Sequence, residues 1–396
     1  MNILHLNDKT AIKGGVEVYV EQLMQLLPDY DCTPHWLGIY QGSAGYAVNS
    51  YGKDNPEQTG VSLNTLVRYL SDYVLDHAID VIHVHSISNP PVLRSLFSLA
   101  PVLRSMHEPR MVCPGQGKFW RYSERICNQP FGLHCIYHAY KEGCCNRHPK
   151  RLFAAYQNTQ FEVREGRDNY RAIMVMSDYM KREAELVGFP TAQLVLNPYF
   201  TPEVEQIALK NQVNAKEKRL LFVGRLSRTK GVHYFIAAAL QLVDQYDDLR
   251  IDIVGGGHDE GYFKSLVPPE KEQYFTFHGW QDRAGIDQII SEAYLLVFPS
   301  IYPEAFGISG IEAMMRAKPV VGFDVGGVRT WLKDRETGFA VPVKDVNALT
   351  ERLALLLDNR ELYDRMSTNS RREALRCFTP EIHLKRLLEI YNKAVA

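Results

Sequence analysis

The sequence predicts an α/β protein made of two doubly wound domains, each built on a mostly parallel sheet. First, the chain has 396 residues, which is too long for one ordinary hydrophobic core and suits two domains. Second, short apolar runs alternate with stretches of helical periodicity, which is typical of βαβ units. Third, glycine-rich segments follow several of the apolar runs. In open sheets of this kind, ligands bind at the carboxyl ends of the strands.

Composition and charge exclude several classes of protein. Hydrophobic residues make up 45% of the chain and charged residues 23%, as in soluble globular proteins. The net charge of -1 gives no electrostatic case for a nucleic-acid partner. No apolar run approaches the ~20 residues that span a bilayer, and residues 1–6 lack the features of a signal peptide. We therefore expect a cytoplasmic protein, with peripheral contact at a membrane surface left open.

The first half of the chain predicts a domain at residues 1–200. Its expected strands are five apolar runs: Ile3–Leu6, Asp80–His85, Val102–Met106, Ala172–Met176 and Leu194–Leu196. Helical periodicity marks three further segments: Val16–Leu27, Leu152–Arg167 and Asp178–Val187. Tyr40–Gly60 is rich in Gly, Ser, Asn and Asp, which predicts a surface loop. Residues 201–216 are polar and charged, which predicts a linker with a short helix.

The second half predicts a second domain at residues 201–379. Its expected strands are Arg219–Val223, Leu249–Val254, Phe275–Gly279, Tyr294–Phe298 and Lys318–Phe323. Helical patterns begin at Val232 and cover Ile311–Ala317, Leu349–Leu357 and Glu361–Arg365. A final helix is expected at residues 380–396, after the break at Pro380.

The segment from Glu304 to Glu312 has the features of a site for a phosphorylated ligand. It joins an apolar strand to a helix, and a helix N-terminus attracts anions through its unpaired N–H groups. Gly307 lets the backbone approach a ligand. Glu304 can accept hydrogen bonds from sugar hydroxyls, and Glu312 can accept those of a ribose. The alternative is an ordinary strand–loop–helix unit with two solvated glutamates.

Two further loops follow predicted strands and favour an anionic ligand. After Arg219–Val223 come Gly224, Arg225 and Lys230. Arg225 can bind a diphosphate in bidentate fashion and Lys230 adds a point charge. Gly14-Gly15 lies between the first strand and the first helix, where it is either a contact for an anionic ligand or a flexible turn. No Gly-x-Gly-x-x-Gly occupies the first turn of either half, which disfavours a nicotinamide enzyme.

These motifs together resemble a known family. Glu304 and Glu312, separated by seven residues that include Phe306-Gly307, are similar to the signature of retaining glycosyltransferases of the family 4 type, the glycosyl transferases group 1. The other matching segments are Gly14-Gly15, Gly224–Ser227, Lys230-Gly231, Gly255–Gly257, Gly326-Gly327 and Glu336–Phe339. The resemblance implies the GT-B fold, with two Rossmann-like domains facing each other across a cleft. It also implies that the helix at residues 380–396 crosses back to the first domain.

The resemblance implies a hexosyltransferase-type enzyme that retains the configuration of the sugar and needs no metal for catalysis. It would move a sugar from a nucleoside diphosphate sugar to the hydroxyl of a saccharide or lipid-linked saccharide, in polysaccharide or glycoconjugate synthesis. The residues implied in catalysis are Glu304, His107, Arg225 and Lys230. Those implied in substrate binding are Gly14, Gly15, Gly224, Gly279, Phe306, Gly307, Ile308 and Glu312. The alternatives are a nucleotide-sugar epimerase or phosphorylase on the same fold, or a non-enzymatic nucleotide-sugar-binding partner subunit.

Three histidines lie at or near predicted strand ends. His107 is similar to the family's histidine at the donor sugar, although Glu108 follows it where the family usually has Asp. A histidine can donate a hydrogen bond to a sugar hydroxyl, and the alternative for each is a satisfied core histidine. We expect contact with the ligand from His107, a lesser case for His85, and a structural role for His83.

Residues 108–150 interrupt the strand–helix rhythm as an insertion rich in cysteine. Thiolates suit zinc, and four of them close a tetrahedral structural site, so one expectation is a structural zinc ion at Cys113, Cys127, Cys135 and Cys144. The alternatives are disulfides or free thiols, because no clean Cys-x-x-Cys pair occurs. The aromatic side chains of the insertion would stack on an acceptor sugar, rest on a membrane or form a small satellite core: Phe119, Trp120, Tyr122 and Phe131.

Overall fold

The computed structural model describes residues 1–11, 14–53, 56–202 and 217–396. Its contacts divide the chain into two compact units. The first comprises residues 1–198 together with 384–396, and the second comprises residues 199–383. Most of the predicted linker at residues 201–216, with its short helix, lies outside the described residues.

The described part of the first unit contains an eight-stranded sheet and a separate two-stranded hairpin. The strands are β1 (Asn2–Asn7), β2 (Thr33–Gly42), β3 (Gly45–Ser50), β4 (Gln58–Val61), β5 (Val81–Val84), β6 (Val102–Met106), β7 (Phe119–Trp120), β8 (Arg125–Ile126), β9 (Ala172–Val175) and β10 (Leu194–Leu196). The sheet order is β10-β9-β6-β5-β1-β2-β3-β4, and β7 pairs with β8. The strands from β10 to β2 are parallel.

The prediction of a surface loop at Tyr40–Gly60 is wrong. This segment contains the end of β2, all of β3 and the start of β4, which pair antiparallel at the sheet edge. Gly45 sits at the β2–β3 turn with φ +127°, a conformation that side chains disfavour. The polar and glycine-rich composition that predicted a loop belongs to the exposed end of β2, to the turns and to the edge strand β4, whereas β3 is mostly buried.

The helices of the first unit follow the predicted rhythm, with three additions, which follow β4, β5 and β8. They are α1 (Gly15–Leu26), α2 (Leu63–Asp76), α3 (Pro90–Leu96), α4 (His134–Lys141), α5 (Pro149–Phe161) and α6 (Asp178–Leu186). α2 and α3 were not predicted, although Ser62 and Asn89 cap their N-termini through their side chains. The helical segment predicted at Leu152–Arg167 runs without a break from Pro149 to Asn169, with a π-helical turn at Glu162–Gly166 before its last α-helical turn, Arg167–Asn169.

The second unit contains, in its described residues, a fully parallel six-stranded sheet. Its strands are β11 (Lys218–Val223), β12 (Leu249–Val254), β13 (Phe275–Gly279), β14 (Leu295–Phe298), β15 (Val320–Phe323) and β16 (Gly338–Val341). The order β13-β12-β11-β14-β15-β16 is the 3-2-1-4-5-6 order of the Rossmann fold, in which ligands bind where the strand order reverses. That switch point lies between β11 and β14.

Seven labelled helices complete the second unit and the return to the first. They are α7 (Val232–Leu242), α8 (Glu260–Ser265), α9 (Arg283–Glu292), α10 (Ile308–Met315), α11 (Val346–Asp358), α12 (Arg360–Cys377) and α13 (Pro380–Val395). α12 is far longer than the predicted Glu361–Arg365, because its buried stripe includes small and polar residues such as Ser370 and Ala374. None of the described helices combines the length and the apolar character that spanning a bilayer requires.

Candidate functional site

At the switch point of the second unit, the loop after β11 meets the loop after β14. The Lys230 ammonium lies 2.6 Å from Oε1 of Glu304, and the Ser300 hydroxyl donates a hydrogen bond of 2.7 Å to the same oxygen. Glu304 is buried, whereas Lys230 is half-buried. The structure therefore brings together two residues that lie 74 positions apart in the chain, and it neutralises the carboxylate with a cation that faces partly toward solvent.

Arg225 lies in the same loop as Lys230, after β11. Its side chain is exposed, and it forms no ion pair with any residue in the described ranges. The triple glycine after β12 lies against this loop, since the Leu226 N–H donates to the Gly256 carbonyl at 3.0 Å. A Cβ atom on Gly255 would come within 1.9 Å of the Gly224 carbonyl oxygen. The glycines therefore let two backbone loops pack together and leave the Arg225 guanidinium free for an anion.

Gly307 forms the N-cap of α10 in a left-handed conformation with φ +95°, which only glycine adopts without strain. The first N–H groups of α10 have no intrahelical partner, so this helix end can bind an anion or a hydroxyl. Phe306 is buried, and its carbonyl accepts a hydrogen bond of 2.8 Å from the Trp331 indole. Its side chain belongs to the core, and it can serve a ligand only through its backbone. Ile308 is half-buried at the first position of α10.

Glu312 lies in the second turn of α10 and is buried. Its carboxylate is paired with the Arg283 guanidinium. Arg283 also contacts Asp287 at 3.1 Å, one turn along α9. Arg283 was not predicted, because no sequence motif links position 283 to position 312. The ion pair holds the Glu312 carboxylate in one orientation, which suits a residue that binds two adjacent hydroxyls.

Gly279 ends β13 and accepts a backbone hydrogen bond of 2.8 Å from Gly255. A Cβ atom at Gly279 or at Gly256 would meet no described atom within 4 Å. Open space therefore lies beside the backbone at the carboxyl end of β12 and β13. The loop after β11, which carries Gly224 and Arg225, lies next to this space.

In the first unit, Gly14 is the N-cap of α1 and Gly15 is its first residue. Gly14 has extended backbone angles that any residue adopts, so its advantage is the missing side chain, which leaves the helix N-terminus accessible. The neighbouring Lys13 lies outside the described residues. The N-terminus of α1 follows the carboxyl end of β1, and the sheet order reverses between β1 and β5.

His107 follows β6 and lies close to two other histidines at the same edge of the sheet. Its Nε2 is 2.9 Å from Nδ1 of His85, whose own Nε2 is 3.1 Å from Nδ1 of His5. Burial lowers the pKa of His5 to about 3, and burial followed by the neighbouring histidines lowers the pKa of His85 well below its usual value. His5 and His85 are therefore neutral at physiological pH.

His83 is fully buried, and its ring nitrogens contact the Ser105 hydroxyl at 2.8 Å and the Tyr391 hydroxyl at 2.7 Å. Ligand atoms of His5, His83 and His85 lie within 4.8 Å of one another, close enough to surround a metal ion. However, a metal would have to break the hydrogen bonds that already occupy both nitrogens of His83 and of His85. These rings are better described as a hydrogen-bonded cluster.

The cysteine-rich insertion folds around the β7–β8 hairpin and α4. The backbone N–H of Cys127 donates to the Lys118 carbonyl at 2.7 Å, and the Lys118 ammonium is buried 2.8 Å from Glu183. A Cβ atom on Gly115 would lie 3.7 Å from the Cys113 sulfur and 2.2 Å from the Cys144 carbonyl oxygen. The structure therefore brings the two ends of the insertion together.

All seven cysteines are free thiols in the structure. Burial, with neighbouring thiols adding to it, raises the pKa of Cys135 to about 11 and that of Cys144 to about 12. The cysteine sulfurs do not belong to the group of ligand atoms that meet within 4.8 Å in the described ranges. Among the aromatics, Phe119 is buried and Trp120 stacks on His138 at 5.0 Å, as a satellite core would require, whereas Tyr122 is exposed.

A family comparison decides the class of the second unit. Residues 203–373 match the family described as Glycosyl transferases group 1. This part of the chain is similar to a group 1 glycosyltransferase domain. Every candidate residue discussed above for the second unit lies inside the matched segment, residues 203–373.

Curated relatives of the chain are named as glycosyltransferases. The alpha-D-kanosaminyltransferase of Streptomyces kanamyceticus is 26% identical over 65% of this chain and 70% of its own length. The phosphatidyl-myo-inositol mannosyltransferase of Mycobacterium leprae is 33% identical over 44% of this chain and 46% of its own length. The chain spans about half the length of most of these relatives.

Solved structures extend the likeness to the whole chain. The Anabaena protein HepE in complex with UDP has a TM-score of 0.70 at 15% identity, covering 99% of this chain and 100% of that one. Sucrose-phosphate synthase from Thermosynechococcus elongatus has a TM-score of 0.69 at 20% identity, covering 99% and 98%. These likenesses show the fold: the glycosyltransferase domain is one of two Rossmann-like domains of a GT-B protein, as predicted.

Proposed function

We propose that the protein transfers a sugar from a nucleoside diphosphate sugar to a hydroxyl acceptor with retention of the anomeric configuration. The observation that carries the proposal is the Lys230–Glu304 pair, with Lys230 in the same loop as the exposed Arg225, at the switch point of the second unit's sheet. Arg225 has no ion-pair partner among the described residues, and Lys230 is held by a single oxygen of Glu304. Both side chains can therefore turn to a diphosphate.

The ion pair suggests how donor binding assembles the site. A diphosphate carries more charge than one carboxylate, so it competes for the Lys230 ammonium while Arg225 binds it in bidentate fashion. Glu304 then keeps its hydrogen bond from Ser300 and gains capacity to accept one from a sugar hydroxyl. The N–H groups at Gly307 and Ile308 supply further donors, and Glu312 accepts from the ribose hydroxyls. The amides beside Gly14 and Gly15 would serve the phosphate and the acceptor, and the backbone at Gly279 the base.

Retention can arise by a covalent route or by a front-face route. A covalent route needs a carboxylate placed as nucleophile below the sugar. The Glu304 carboxylate accepts hydrogen bonds from Lys230 and Ser300, and the Glu312 carboxylate is paired with Arg283. These pairings favour the front-face route, in which the leaving diphosphate takes the acceptor's proton and the protein stabilises and orients the groups. Because Arg225, Lys230 and the end of α10 provide positive charge, the proposal requires no catalytic metal.

Binding and turnover can be tested in sequence. A thermal-shift screen should identify the donor, since a ligand at 100 times its Kd stabilises a protein by about 2.7 kcal/mol; UDP sugars come first, because HepE was solved with UDP. NMR of the product should then show that the transferred sugar keeps the anomeric configuration that it had in the donor. Epimerisation or phosphorolysis of the donor without an acceptor would indicate a different enzyme on this fold. Binding without turnover of any acceptor would indicate a partner subunit.

An exposed face of the insertion supports a lipid-linked acceptor. Along α4, Leu133, Ile136, Tyr137 and Tyr140 are exposed at the helical spacing of one stripe; we call these four residues the apolar stripe. Between residues 133 and 153 there are four exposed basic residues, Lys141, Arg147, Lys150 and Arg151, and one acidic residue, Glu142. Apolar residues bordered by basic ones suit an anionic membrane surface. The Mycobacterium leprae relative is named for a phosphatidylinositol acceptor, which agrees with this proposal.

Replacing Leu133 and Tyr137 together with serine should weaken binding to anionic vesicles by at least about tenfold, because each side chain loses apolar area that the membrane would bury. The control is Leu75→Ser, since Leu75 is 76% exposed and Leu133 77%. Vesicle co-sedimentation at constant ionic strength measures the effect. Equal binding by the double variant and the control, or no binding by the unaltered protein, would contradict a membrane-bound acceptor.

We also propose that Cys113, Cys127, Cys135 and Cys144 hold a structural zinc ion, supported by the folding of the insertion that brings its ends together. The four sulfurs would have to draw closer on binding, since Zn–S bonds are about 2.3 Å long. Elemental analysis of protein purified without metal-affinity steps should find about one equivalent of zinc, reduced in Cys135→Ser but not in Cys32→Ser. Less than about a tenth of an equivalent in the unaltered protein would contradict zinc.

A further inference from the structure

Three imidazoles form a linear chain that ends at His107. Nδ1 of His5 lies 3.1 Å from Nε2 of His85, and Nδ1 of His85 lies 2.9 Å from Nε2 of His107. The three residues belong to or follow β1, β5 and β6, adjacent parallel strands at the switch point of the first unit. All three are buried, with 0%, 2% and 8% of their surface exposed. The rings are therefore held by the sheet and by one another.

A chain of this kind has a direction. A neutral imidazole carries one N–H donor and one acceptor nitrogen. If Nδ1 of one ring donates to Nε2 of the next, the same sense must run along all three rings. The chain then has only two arrangements, with the proton on Nδ1 of every ring or on Nε2 of every ring.

The first of the three imidazoles, His5, selects between the two arrangements. Nε2 of His5 is buried and has no hydrogen-bond partner among the described residues. An orphaned buried N–H is rarer in proteins than an under-satisfied acceptor. The proton of His5 therefore belongs on Nδ1, where it is donated to His85. His85 in turn donates from Nδ1 to Nε2 of His107, and this leaves the proton of His107 on Nδ1.

We propose that His5 and His85 are positioning residues that fix His107 in the Nδ1–H tautomer, so that it can act as a hydrogen-bond donor from that nitrogen. The group donated to would be a sugar hydroxyl of the nucleotide sugar; this part of the proposal rests on the proposed function, whereas the tautomer does not.

The surroundings of the chain support a fixed geometry. Nη1 of Arg104 donates to the His85 carbonyl at 2.7 Å, and Nη2 of Arg104 is buried 3.0 Å from Glu162. The π-helical turn supplies Glu162, which also accepts from the Tyr170 hydroxyl at 2.8 Å. Buried charged pairs of this kind tolerate little displacement, because an unpaired partner would be costly. The backbone at His85 is therefore anchored independently of its ring.

Two substitutions at His85 separate the links of the chain. The amide of asparagine takes the position of ring Nδ1, and that of glutamine takes the position of ring Nε2. His85→Asn thus keeps a partner for His107 and loses the link to His5, whereas His85→Gln does the reverse. The control is His83→Gln, because His83 is equally buried but bonds to Ser105 and Tyr391 outside the chain.

The first measurement is the tautomer of His107, read from long-range ¹H–¹⁵N NMR spectra of histidine-labelled full-length protein. We expect the Nδ1–H tautomer in the unaltered protein and in His83→Gln, and its loss in His85→Gln. If His85→Gln does not fold, His5→Phe removes the first ring with an apolar substitute, and we expect a mixture of tautomers. An Nε2–H tautomer in the unaltered protein, or no change in either variant, would overturn the proposal.

The second measurement is kinetic. His85→Gln should lower kcat with the nucleotide sugar about 10- to 100-fold, as misplacement of a contact group does, with the Kd of the free nucleoside diphosphate unchanged. The decrease in kcat should be smaller for His85→Asn. If the tautomer of His107 changes as expected while kcat does not, the three histidines do fix the tautomer, but His107 does not contact the sugar. If no nucleotide sugar is turned over by any variant, the proposed function fails and the NMR result still decides the tautomer.

Discussion

Replacing Arg225 or Lys230 with alanine is expected to lower kcat/KM about 10²- to 10³-fold, the usual cost of losing one preorganised contact to developing charge. Both residues lie in the loop after β11, and both would stabilise negative charge that grows on the leaving diphosphate. Steady-state kinetics with the identified donor and acceptor measure the effect. The two variants should differ in thermal stability, because Lys230 is paired with Glu304 whereas Arg225 has no ion-pair partner among the described residues.

The pairing makes a stability measurement necessary. Lys230→Ala leaves the buried Glu304 carboxylate with Ser300 as its remaining described partner, and an unpaired buried charge destabilises a fold. Arg225→Ala removes an exposed side chain and should leave thermal unfolding unchanged. The matched control is Arg228→Ala in the same loop, since its guanidinium stacks over the Tyr262 ring at 4.3 Å and has no assigned role. Kinetics near those of the unaltered protein for both Arg225→Ala and Lys230→Ala would remove these residues from the mechanism.

Replacing Glu304 with alanine should mainly lower kcat, by about 10- to 100-fold, because a hydrogen bond to a charged group is worth about 1.5–3 kcal/mol. The carboxylate would hold the sugar in the geometry of the reaction, so its loss should appear in the chemical step. Replacing Glu312 with alanine should mainly raise the donor KM, because ribose contacts are alike in the ground and transition states.

The two glutamates serve as controls for each other, since both are buried and both are paired with a cation. Arg283→Ala should reproduce part of the Glu312→Ala effect, because Arg283 orients that carboxylate. If Glu304→Ala raises KM and Glu312→Ala lowers kcat, the assignments of the sugar and ribose contacts are reversed.

Most of the parallel core could be predicted because its strands are continuous apolar runs. β6, β10, β12 and β13 match their predicted bounds, and β14 and β15 differ by one or two residues at their starts. β3 and β4 could not be predicted in this way, since β4 is a polar edge strand and the buried apolar run of β3 is only three residues long, Tyr46–Val48. The same reason hid most of α12, whose exposed faces are rich in charge.

The candidate site was predictable where function needs special residue types in a loop. Glycine, arginine and lysine after β11, and glycine with two glutamates after β14, stand out in the sequence itself. Arg283, His5 and the Arg104–Glu162 pair do not, because each acts through a partner that is 29 to 80 positions away. Such pairs follow from strand order and helix packing, which a linear pattern does not contain.

Residues 384–396 belong to the first unit, where Leu387, Ile390 and Tyr391 are buried and the Tyr391 hydroxyl contacts His83. During synthesis, the ribosome delivers residues 1–198 long before this segment. At 5–20 residues per second, the interval is roughly 10–40 s. Throughout it, the nascent first unit lacks the helix that covers His83 and its neighbours. The second unit, continuous from 199 to 383, is complete earlier, so the half of the chain made first is the half that finishes folding last.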